Sequence, residues 1–301
     1  MAIAHYIREI GRGKDGARAL SREQAADLFG QVLDGSVSDL EIGAFCLAMR
    51  IKGETALEMA GFLDATQARL QLFPAGESPV VVIPSYNGAR KLPGLTALLA
   101  LLLARAGLRV LIHGTATEPS RVYTSKVLLA LDIYGELAIK KISNGEVVFA
   151  PTELLCPGLQ RLLEVRGAVG VRNSAHSVVK LMNPCAGRSL LVSSYTHPEY
   201  ALSMAATFEL MQTNALLLHG TEGEAVADPR RTPRMQSFLA GLPLHLQEAQ
   251  TGTLTVLPDL PQTTDPQAVA AYIRQVLAGH SPVPAPIAQQ VAHIVSLAAR
   301  V

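Results

Sequence analysis

At 301 residues the chain is long enough for one large domain or two modest ones, and its 49% of hydrophobic residues excludes a disordered protein. A net charge of +1 excludes an overall polycation, and no window reaches the roughly 18 apolar residues that a membrane span needs. The N-terminal string MAIAHYIREIGRGK has no apolar signal-peptide core, so we expect a mature cytoplasmic protein.

The first part of the chain has helix signals and no strand signal. AHYIREI predicts a first helix, and Ser21, which opens the string SREQ, is a typical N-cap residue for a second. Asp39 opens a third helix that ends near Gly53, and a fourth runs to the proline break near residue 74. We therefore predict a helical N-terminal domain over residues 1–75.

The character of the sequence changes at Pro79, where strand-like runs begin to alternate with helical ones. The strand-like runs are PVVVIPS, LRVLIHG, VVFAP, SLLVSS and NALLLHG. This alternation predicts an α/β domain over residues 76–301, with a mostly parallel central sheet. Residues 155–182 have no strand signal, and we expect their helices to join the N-terminal domain. The tail from Asp265 predicts two further helices around a proline-rich linker.

Positive charge is concentrated in the middle of the chain. Residues 80–200 contain 13 Lys and Arg against 7 Asp and Glu, a net of +6. Residues 1–79 contain 8 against 11, and residues 201–301 contain 5 against 7, so both flanks are acidic. A local basic surface attracts polyanions even when the total charge is near zero.

The number and spacing of the cysteines do not indicate a disulfide cross-link in the fold. The three cysteines are widely separated and form no CxxC pair; they are Cys46, Cys156 and Cys185. We therefore expect buried thiols, with neither a disulfide framework nor a structural zinc site.

Ligands of open parallel sheets bind beyond the carboxyl ends of the strands, where the first loop here is IPSYNGARK. Its candidate anion-binding residues are Ser85, Asn87, Gly88, Arg90 and Lys91. Backbone N–H groups at the start of the next helix, together with two cations, would suit a phosphate-type anion. The alternative is a plain Asn-Gly turn with a solvated pair of charges.

The second strand-end loop, HGTATEPSR, has a similar position before a helix. Its candidate anion-binding residues are His113, Gly114, Thr115 and Arg121. The histidine is either part of such a site or a side chain packed at the end of its strand.

The third strand-end loop, HGTEGE, carries two acids. Glu222 and Glu224 are weak candidates for magnesium ligands, because magnesium prefers carboxylate oxygens. The alternative is a pair of solvated loop acids, and we expect no metal and no cofactor unless the chain is a transferase.

The segment VRNSAHSVVKL carries a further set of basic residues. Arg172, His176 and Lys180 are spaced by four, so on a helix they would form one face, and Arg166 lies just upstream. Such a cationic stripe suits a phosphate or nucleic-acid backbone, whereas the alternative is a solvated helix face.

In their order and separation, the strings IPSYNGARK, GVRNSAH, Asn183-Pro184, SYTHPEY and LLLHGTEGE resemble those of anthranilate phosphoribosyltransferases. The similarity covers nearly the whole chain and is greatest to a TrpD-like paralogue group that lacks the usual catalytic signatures. The resemblance implies a small helical domain, a larger α/β domain, and a homodimer formed through the helical domain. In the family, phosphoribosyl pyrophosphate binds together with magnesium.

The departures from the family pattern fall on the loops that carry its chemistry. The family's glycine-rich GTGGD loop, which wraps a pyrophosphate, is replaced by PSYNGARK, and of its KHGNR string only His113 and Gly114 remain. When the family's HG is aligned with His219-Gly220, the metal-binding Asp-Glu pair of its DGLDE string falls at Ala225 and Val226, whereas an alignment shifted by two residues would place an acid at the metal position. Arg172 does match the arginine of the family's helical segment.

These departures predict that anthranilate phosphoribosyl transfer is lost while anion binding is kept. The resemblance implies that this paralogue group binds nucleic acid without sequence preference, and DNA is the expected partner. The alternatives are a phosphoribosyltransferase with an unknown acceptor, which would need magnesium, and a small-anion sensor without turnover.

Overall fold

The computed structural model describes residues 3–13, 15–254 and 257–301. Met1, Ala2 and Lys14, which belong to the stretch examined for a signal peptide, lie outside the described residues. The chain divides into two compact units. Unit 1 comprises Met1–Gln71 and Thr152–Pro184, and unit 2 comprises Leu72–Pro151 and Cys185–Val301.

Four helices come first along the chain, and strands and further helices follow them. The helices are α1 (Ala4–Ile10), α2 (Arg22–Leu33), α3 (Asp39–Lys52), α4 (Ala56–Gln67), α5 (Thr96–Arg105), α6 (Thr124–Ala130), α7 (Thr152–Leu155), α8 (Pro157–Val169), α9 (Ala175–Val178), α10 (Pro198–Leu210), α11 (Pro266–Leu277) and α12 (Ala285–Ala298). The strands are β1 (Val80–Ser85), β2 (Arg109–Gly114), β3 (Val147–Pro151), β4 (Ser189–Tyr195), β5 (Ala215–His219), β6 (Met235–Leu239) and β7 (Leu242–Gln247).

Three helices of unit 1 begin at complete capping boxes. The side chains of Ser21, Ser38 and Thr55 each accept a hydrogen bond from the backbone N–H three residues on, and the Gln or Glu at that position accepts one from the cap's own N–H. Each box satisfies backbone donors that the first helical turn would otherwise leave unpaired. Short local strings therefore determine where α2, α3 and α4 start.

The core of unit 1 is aromatic, with one buried ion pair beside it. Phe29 stacks on Phe62 with ring centroids 4.6 Å apart, and Phe45 meets both rings edge-on. Glu58 is fully buried, and its carboxylate accepts a hydrogen bond from Lys52 Nζ at 2.6 Å. The same carboxylate completes the cap of α4, so the ion pair also joins α3 to α4.

Unit 2 is built on a single sheet in the described part of the chain, with strand order β3-β2-β1-β4-β5-β6-β7. The first five strands of that order are parallel, and β6 and β7 are antiparallel. The prediction of an α/β domain with a mostly parallel sheet, beside a helical domain, is confirmed.

The core of unit 2 lies where helices cover the sheet. Leu98, Leu99 and Leu103 of α5 are fully buried with Val81 and Ile83 of β1. Their continuous burial agrees with the unbroken apolar run that α5 shows in the sequence. α11 and α12 contribute buried apolar residues to the same core.

Further features of the chain follow from its helix lengths and its cysteines. None of the helices within residues 3–13, 15–254 and 257–301 is long and apolar enough to cross a membrane. Cys46, Cys156 and Cys185 are all buried thiols, and burial raises the pKa of Cys185 to about 12. A thiol with so high a pKa is not a nucleophile at neutral pH.

Candidate anion site at the carboxyl edge of the sheet

The strand order of unit 2 has a switch point between β1 and β4. The chain goes from β1 outward to β2 and β3, and then returns to β4 on the other side of β1. Such a switch point is where open α/β sheets bind their ligands. The loops that follow β1, β2, β4 and β5 meet at this edge of unit 2.

Glu224, from the loop after β5, is held by donors of the loop after β1. Its carboxylate accepts hydrogen bonds from the backbone N–H of Asn87 at 2.7 Å, the N–H of Gly88 at 2.8 Å and Ser85 Oγ at 2.5 Å. The hydroxyl of Thr96 lies 3.4 Å from the same carboxylate. Glu224 is 3% exposed, so this is a buried carboxylate in a complete cradle of donors.

Glu222 occupies a second set of donors on the same loop. Its carboxylate accepts hydrogen bonds from the backbone N–H groups of Arg90 at 2.6 Å, Lys91 at 3.0 Å and Leu92 at 3.4 Å. Successive N–H groups that converge on one acceptor form a nest, an arrangement that proteins use to bind anions. The expected anion-binding loop is therefore occupied by two carboxylates of the chain itself.

The loop after β5 fits into this position through its backbone conformation. Glu222 has φ +52° and Gly223 has φ +88°, so the chain turns through the left-handed region twice in succession. A Cβ at Gly223 would lie 2.0 Å from Asn87 Nδ2, so only glycine fits there. Ser194 Oγ donates to the carbonyl of Gly223 at 2.8 Å and joins this loop to the end of β4.

The loops after β1 and β2 are tied together in the same way. Ala89 and Val122 exchange two backbone hydrogen bonds of 2.7 and 2.9 Å. Arg121 donates to the carbonyl of Gly88 at 3.3 Å and pairs with Glu118 at 3.2 Å. The predicted anion-binding arginine of the second loop therefore serves as a brace between loops.

The structure divides the predicted residues of the first loop into two groups. Ser85, Asn87 and Gly88 donate to Glu224, whereas the side chains of Arg90 and Lys91 are exposed. The expected helix N-terminus does not supply the donors, because α5 begins only at Thr96. The N–H groups belong to the loop itself.

The prediction that His113 contacts an anion is wrong, because the side chain is fully buried. Its Nδ1 lies 2.8 Å from Tyr86 Oη, and its Nε2 has no hydrogen-bond partner among the described residues. Burial lowers the pKa of His113 to about 3, so the ring is neutral. Gly114 is needed for packing, since a Cβ there would lie 2.1 Å from the carbonyl oxygen of Ser85. Thr115, the next residue, is half-buried.

The predicted cationic helix face in unit 1 is also wrong. α9 is only four residues long, so Arg172 precedes it and Lys180 follows it, and the three basic residues do not lie on one helix. His176 is 8% exposed, and its Nδ1 accepts from the N–H of Asn173 at 3.3 Å. Arg166, on the last turn of α8, is half-buried, as are Arg172 and Lys180.

The surroundings of His176 are nevertheless strongly basic. Burial, together with the charges of Arg172, Arg166 and Arg50, lowers the pKa of His176 to about 3. Arg50, which is exposed at the end of α3, is an addition that sequence reasoning missed. Three arginines thus lie near a neutral histidine, although they do not form the predicted helical stripe.

The carboxylate oxygens of the two weak magnesium candidates, Glu222 and Glu224, accept hydrogen bonds within the protein. Both oxygens of Glu224 and both oxygens of Glu222 accept hydrogen bonds from N–H or O–H groups. An ionised carboxylate has about four acceptor sites, and these hydrogen bonds hold both side chains against the loop after β1. The sequence did not reveal this role of Glu222 and Glu224 as internal hydrogen-bond acceptors, and their weak candidacy as magnesium ligands stays a prediction.

Comparisons with known proteins agree with this architecture. Residues 4–69 match the family model described as glycosyl transferase family, helical bundle domain. The chain is 42% identical over 300 residues to the uncharacterized protein YbiB of Escherichia coli (strain K12), covering 97% of this chain and 93% of that protein. It is 30% identical over 269 residues to an anthranilate phosphoribosyltransferase of Methanosarcina acetivorans, covering 85% of this chain and 67% of that enzyme.

Solved structures of such enzymes share the fold. Anthranilate phosphoribosyltransferase (TrpD) from Thermus thermophilus gives a TM-score of 0.73 at 22% identity, covering 97% of this chain and 86% of that one. The Saccharomyces cerevisiae enzyme in complex with PRPP and Mg gives 0.71 at 13% identity, covering 99% and 89%. The resemblance noted in the sequence is confirmed: the chain belongs to the anthranilate phosphoribosyltransferase-like family, and YbiB is one of its relatives.

Proposed function

We propose that this protein binds nucleic acid, and DNA in particular, in the cytoplasm and without sequence preference, and that anthranilate phosphoribosyl transfer is lost. The contacts are made to backbone phosphates by arginine and lysine side chains. Such binding gains its free energy from the release of counterions, so it falls steeply as salt rises.

The observation that carries this proposal is the occupation of the strand-end loops by Glu222 and Glu224. A transferase of this family needs those donors for a pyrophosphate leaving group, and it needs magnesium to neutralise that group. Here the donors already bind carboxylates, which would repel a pyrophosphate. The positions of the family's metal-binding pair hold Ala225 and Val226, both 1% exposed and unable to bind a cation.

Basic side chains remain at the surface of each unit. Arg90 and Lys91 are exposed in unit 2, and Arg50 is exposed near Arg166 and Arg172 in unit 1. Residues 80–200 carry 13 Lys and Arg against 7 Asp and Glu, which supports attraction of a polyanion. The chain has no Trp and only 5% aromatic residues, so stacking on bases is not expected to contribute.

The first test is a fluorescence-anisotropy titration with single- and double-stranded DNA of unrelated sequences, at several salt concentrations. We expect a slope of several in log K against log salt, and similar affinities for all sequences. Arg90→Glu should weaken binding uniformly and reduce the salt slope by about 1, because one phosphate contact is lost.

The matched control is Arg300→Glu, which makes the same charge change at the exposed end of the chain. It should leave the salt slope unchanged if the contact at Arg90 is local. Absence of binding even at low salt would refute the proposal. Equal effects of the two variants would refute the role given to Arg90.

The second candidate function is a phosphoribosyltransferase with an unknown acceptor. The observation that favours it is the nest at Arg90–Leu92, whose three N–H groups would be available to a phosphate group if the Glu222 carboxylate were displaced. A rise in melting temperature with phosphoribosyl pyrophosphate and magnesium would support this candidate. No shift at millimolar ligand would exclude it.

A homodimer formed through the helical unit is part of the same proposal. Leu40, Leu47 and Ile51 lie on one face of α3 and are 84%, 46% and 68% exposed. Contiguous apolar surface of this kind is typical of a protein interface. In a dimer, two basic surfaces would engage one strand together, which raises the overall affinity.

Leu47→Glu is expected to convert the dimer into a monomer, since it puts a charge in the middle of the apolar face of α3. Size-exclusion chromatography with light scattering measures the mass directly. Leu202→Glu, at a residue of α10 that is 76% exposed, is the matched control and should stay dimeric. A monomeric wild-type protein would contradict the interface.

A further inference from the structure

The nest at Arg90–Leu92 has the composition of an anion site but no room for an external anion. Three successive backbone N–H groups converge on one acceptor, with the exposed side chains of Arg90 and Lys91 beside them. Phosphate oxygens meet the same geometric requirement as the carboxylate oxygens of such an acceptor. The acceptor present is the carboxylate of Glu222.

The two internal carboxylates differ in how firmly they are held. Glu224 is 3% exposed and has donors from a hydroxyl as well as from backbone N–H groups, so its removal would leave buried donors unpaired. Glu222 is half-buried, and the nest around it is at the surface. Water or a solvated anion can therefore replace Glu222, whereas neither can readily replace Glu224.

The backbone at Glu222 also favours its release. Its φ of +52° is a conformation that non-glycine residues rarely adopt, and the contact with the nest helps to hold it. Arg230 lies near Glu222 and offers it a second partner. Arg230 pairs with Asp228 at 2.7 Å. The hydrogen bond with Asp228 and the charge of Glu222 both raise the pKa of Arg230, so a released Glu222 carboxylate would have a cation nearby.

We infer that Glu222 is an autoinhibitory side chain, which fills the nest at Arg90–Leu92 and excludes the phosphate groups that the nest would otherwise bind. The ligand class is a phosphate or pyrophosphate group with free terminal oxygens. Charge repulsion and occupied donors act together, because the carboxylate blocks the site sterically and cancels its positive potential. This inference holds whether or not the protein binds nucleic acid.

The test uses inorganic pyrophosphate and inorganic phosphate as probes of the full-length protein. We expect pyrophosphate to bind Glu222→Ala at least about tenfold more tightly than wild type in isothermal titration calorimetry, since a charge-assisted hydrogen bond is worth about that much. Glu222→Gln should fall between the two, because the amide keeps an acceptor oxygen without its charge. The matched control is Glu209→Gln on the exposed surface of α10, which should bind as wild type does.

Amide NMR then locates the binding. In Glu222→Ala, pyrophosphate should shift the amide resonances of Arg90, Lys91 and Leu92, and these shifts should saturate with the affinity seen by calorimetry. Equal affinities of wild type and both Glu222 variants would overturn the inference. So would tighter binding that leaves these three amides unmoved, because the phosphate would then sit elsewhere.

Discussion

Replacing Glu224 by alanine is expected to lower the free energy of unfolding by about 3 to 5 kcal/mol. The reason is the number of donors that lose their acceptor together. Ser85 Oγ and the N–H groups of Asn87 and Gly88 all point at one carboxylate that is 3% exposed. Each buried donor left unpaired costs about 1 to 3 kcal/mol, and water reaches this position poorly.

Glu222→Ala is the matched control, since it removes the same side chain two residues away. Its partners are at the surface and can bind water, so its cost should be about 1 kcal/mol or less. Urea unfolding followed by far-UV circular dichroism gives both values. A loss for Glu224→Ala no larger than that for Glu222→Ala would contradict the assignment of Glu224 as the residue that locks the loops.

Most helices and strands could be predicted because the signals for them lie within short stretches of the sequence. Ser21 and Asp39 marked helix starts that the structure places at capping boxes, and the five parallel strands each correspond to an unbroken apolar run. The antiparallel pair β6 and β7 was not predicted. Its residues include Gln236, Pro243 and His245, and an antiparallel pair that is not buried on both faces needs no continuous apolar run.

The site was harder to predict because its partners are far apart in the chain. The loop IPSYNGARK was predicted as an anion site, but the acceptors that its donors meet are 130 or more residues away at Glu222 and Glu224. No local rule connects an Asn-Gly turn to a Glu-Gly-Glu turn. The contact arises only when the parallel order of β1, β4 and β5 brings their carboxyl ends to one edge.

The basic segment after α8 shows how a periodic pattern can mislead. Arg172, His176 and Lys180 have helical spacing, but the chain forms only the single turn of α9 there. Asn173 explains part of the difference, because its side-chain amide donates to the carbonyl of Leu162 and its oxygen accepts from the N–H of Ala175. Such side-chain bonds to the backbone compete with helix formation.

Acid is expected to destabilise this protein through its buried histidines, and His113 gives the sharpest case. Burial holds the pKa of His113 at about 3 in the folded state, below the ordinary value of 6.5. The unfolded state therefore takes up the proton first as the pH falls. The stability is fully present above about pH 6.5 and is lost progressively toward pH 3, at about 1.4 kcal/mol per pH unit.

The whole effect of His113 amounts to about 5 kcal/mol, and His176, whose pKa is also about 3, should add a comparable effect in unit 1. His113→Asn removes this titrating group. Between pH 6.5 and 4, the free energy of unfolding should therefore change with pH less steeply than in wild type, by the slope that one proton contributes. Its lower stability at neutral pH does not affect this slope. His280→Asn, at an exposed histidine of the same unit, should keep the wild-type slope. If His113→Asn also kept it, His113 would have to bind its proton in the folded state, and the Tyr86 pocket would have to accommodate a charge.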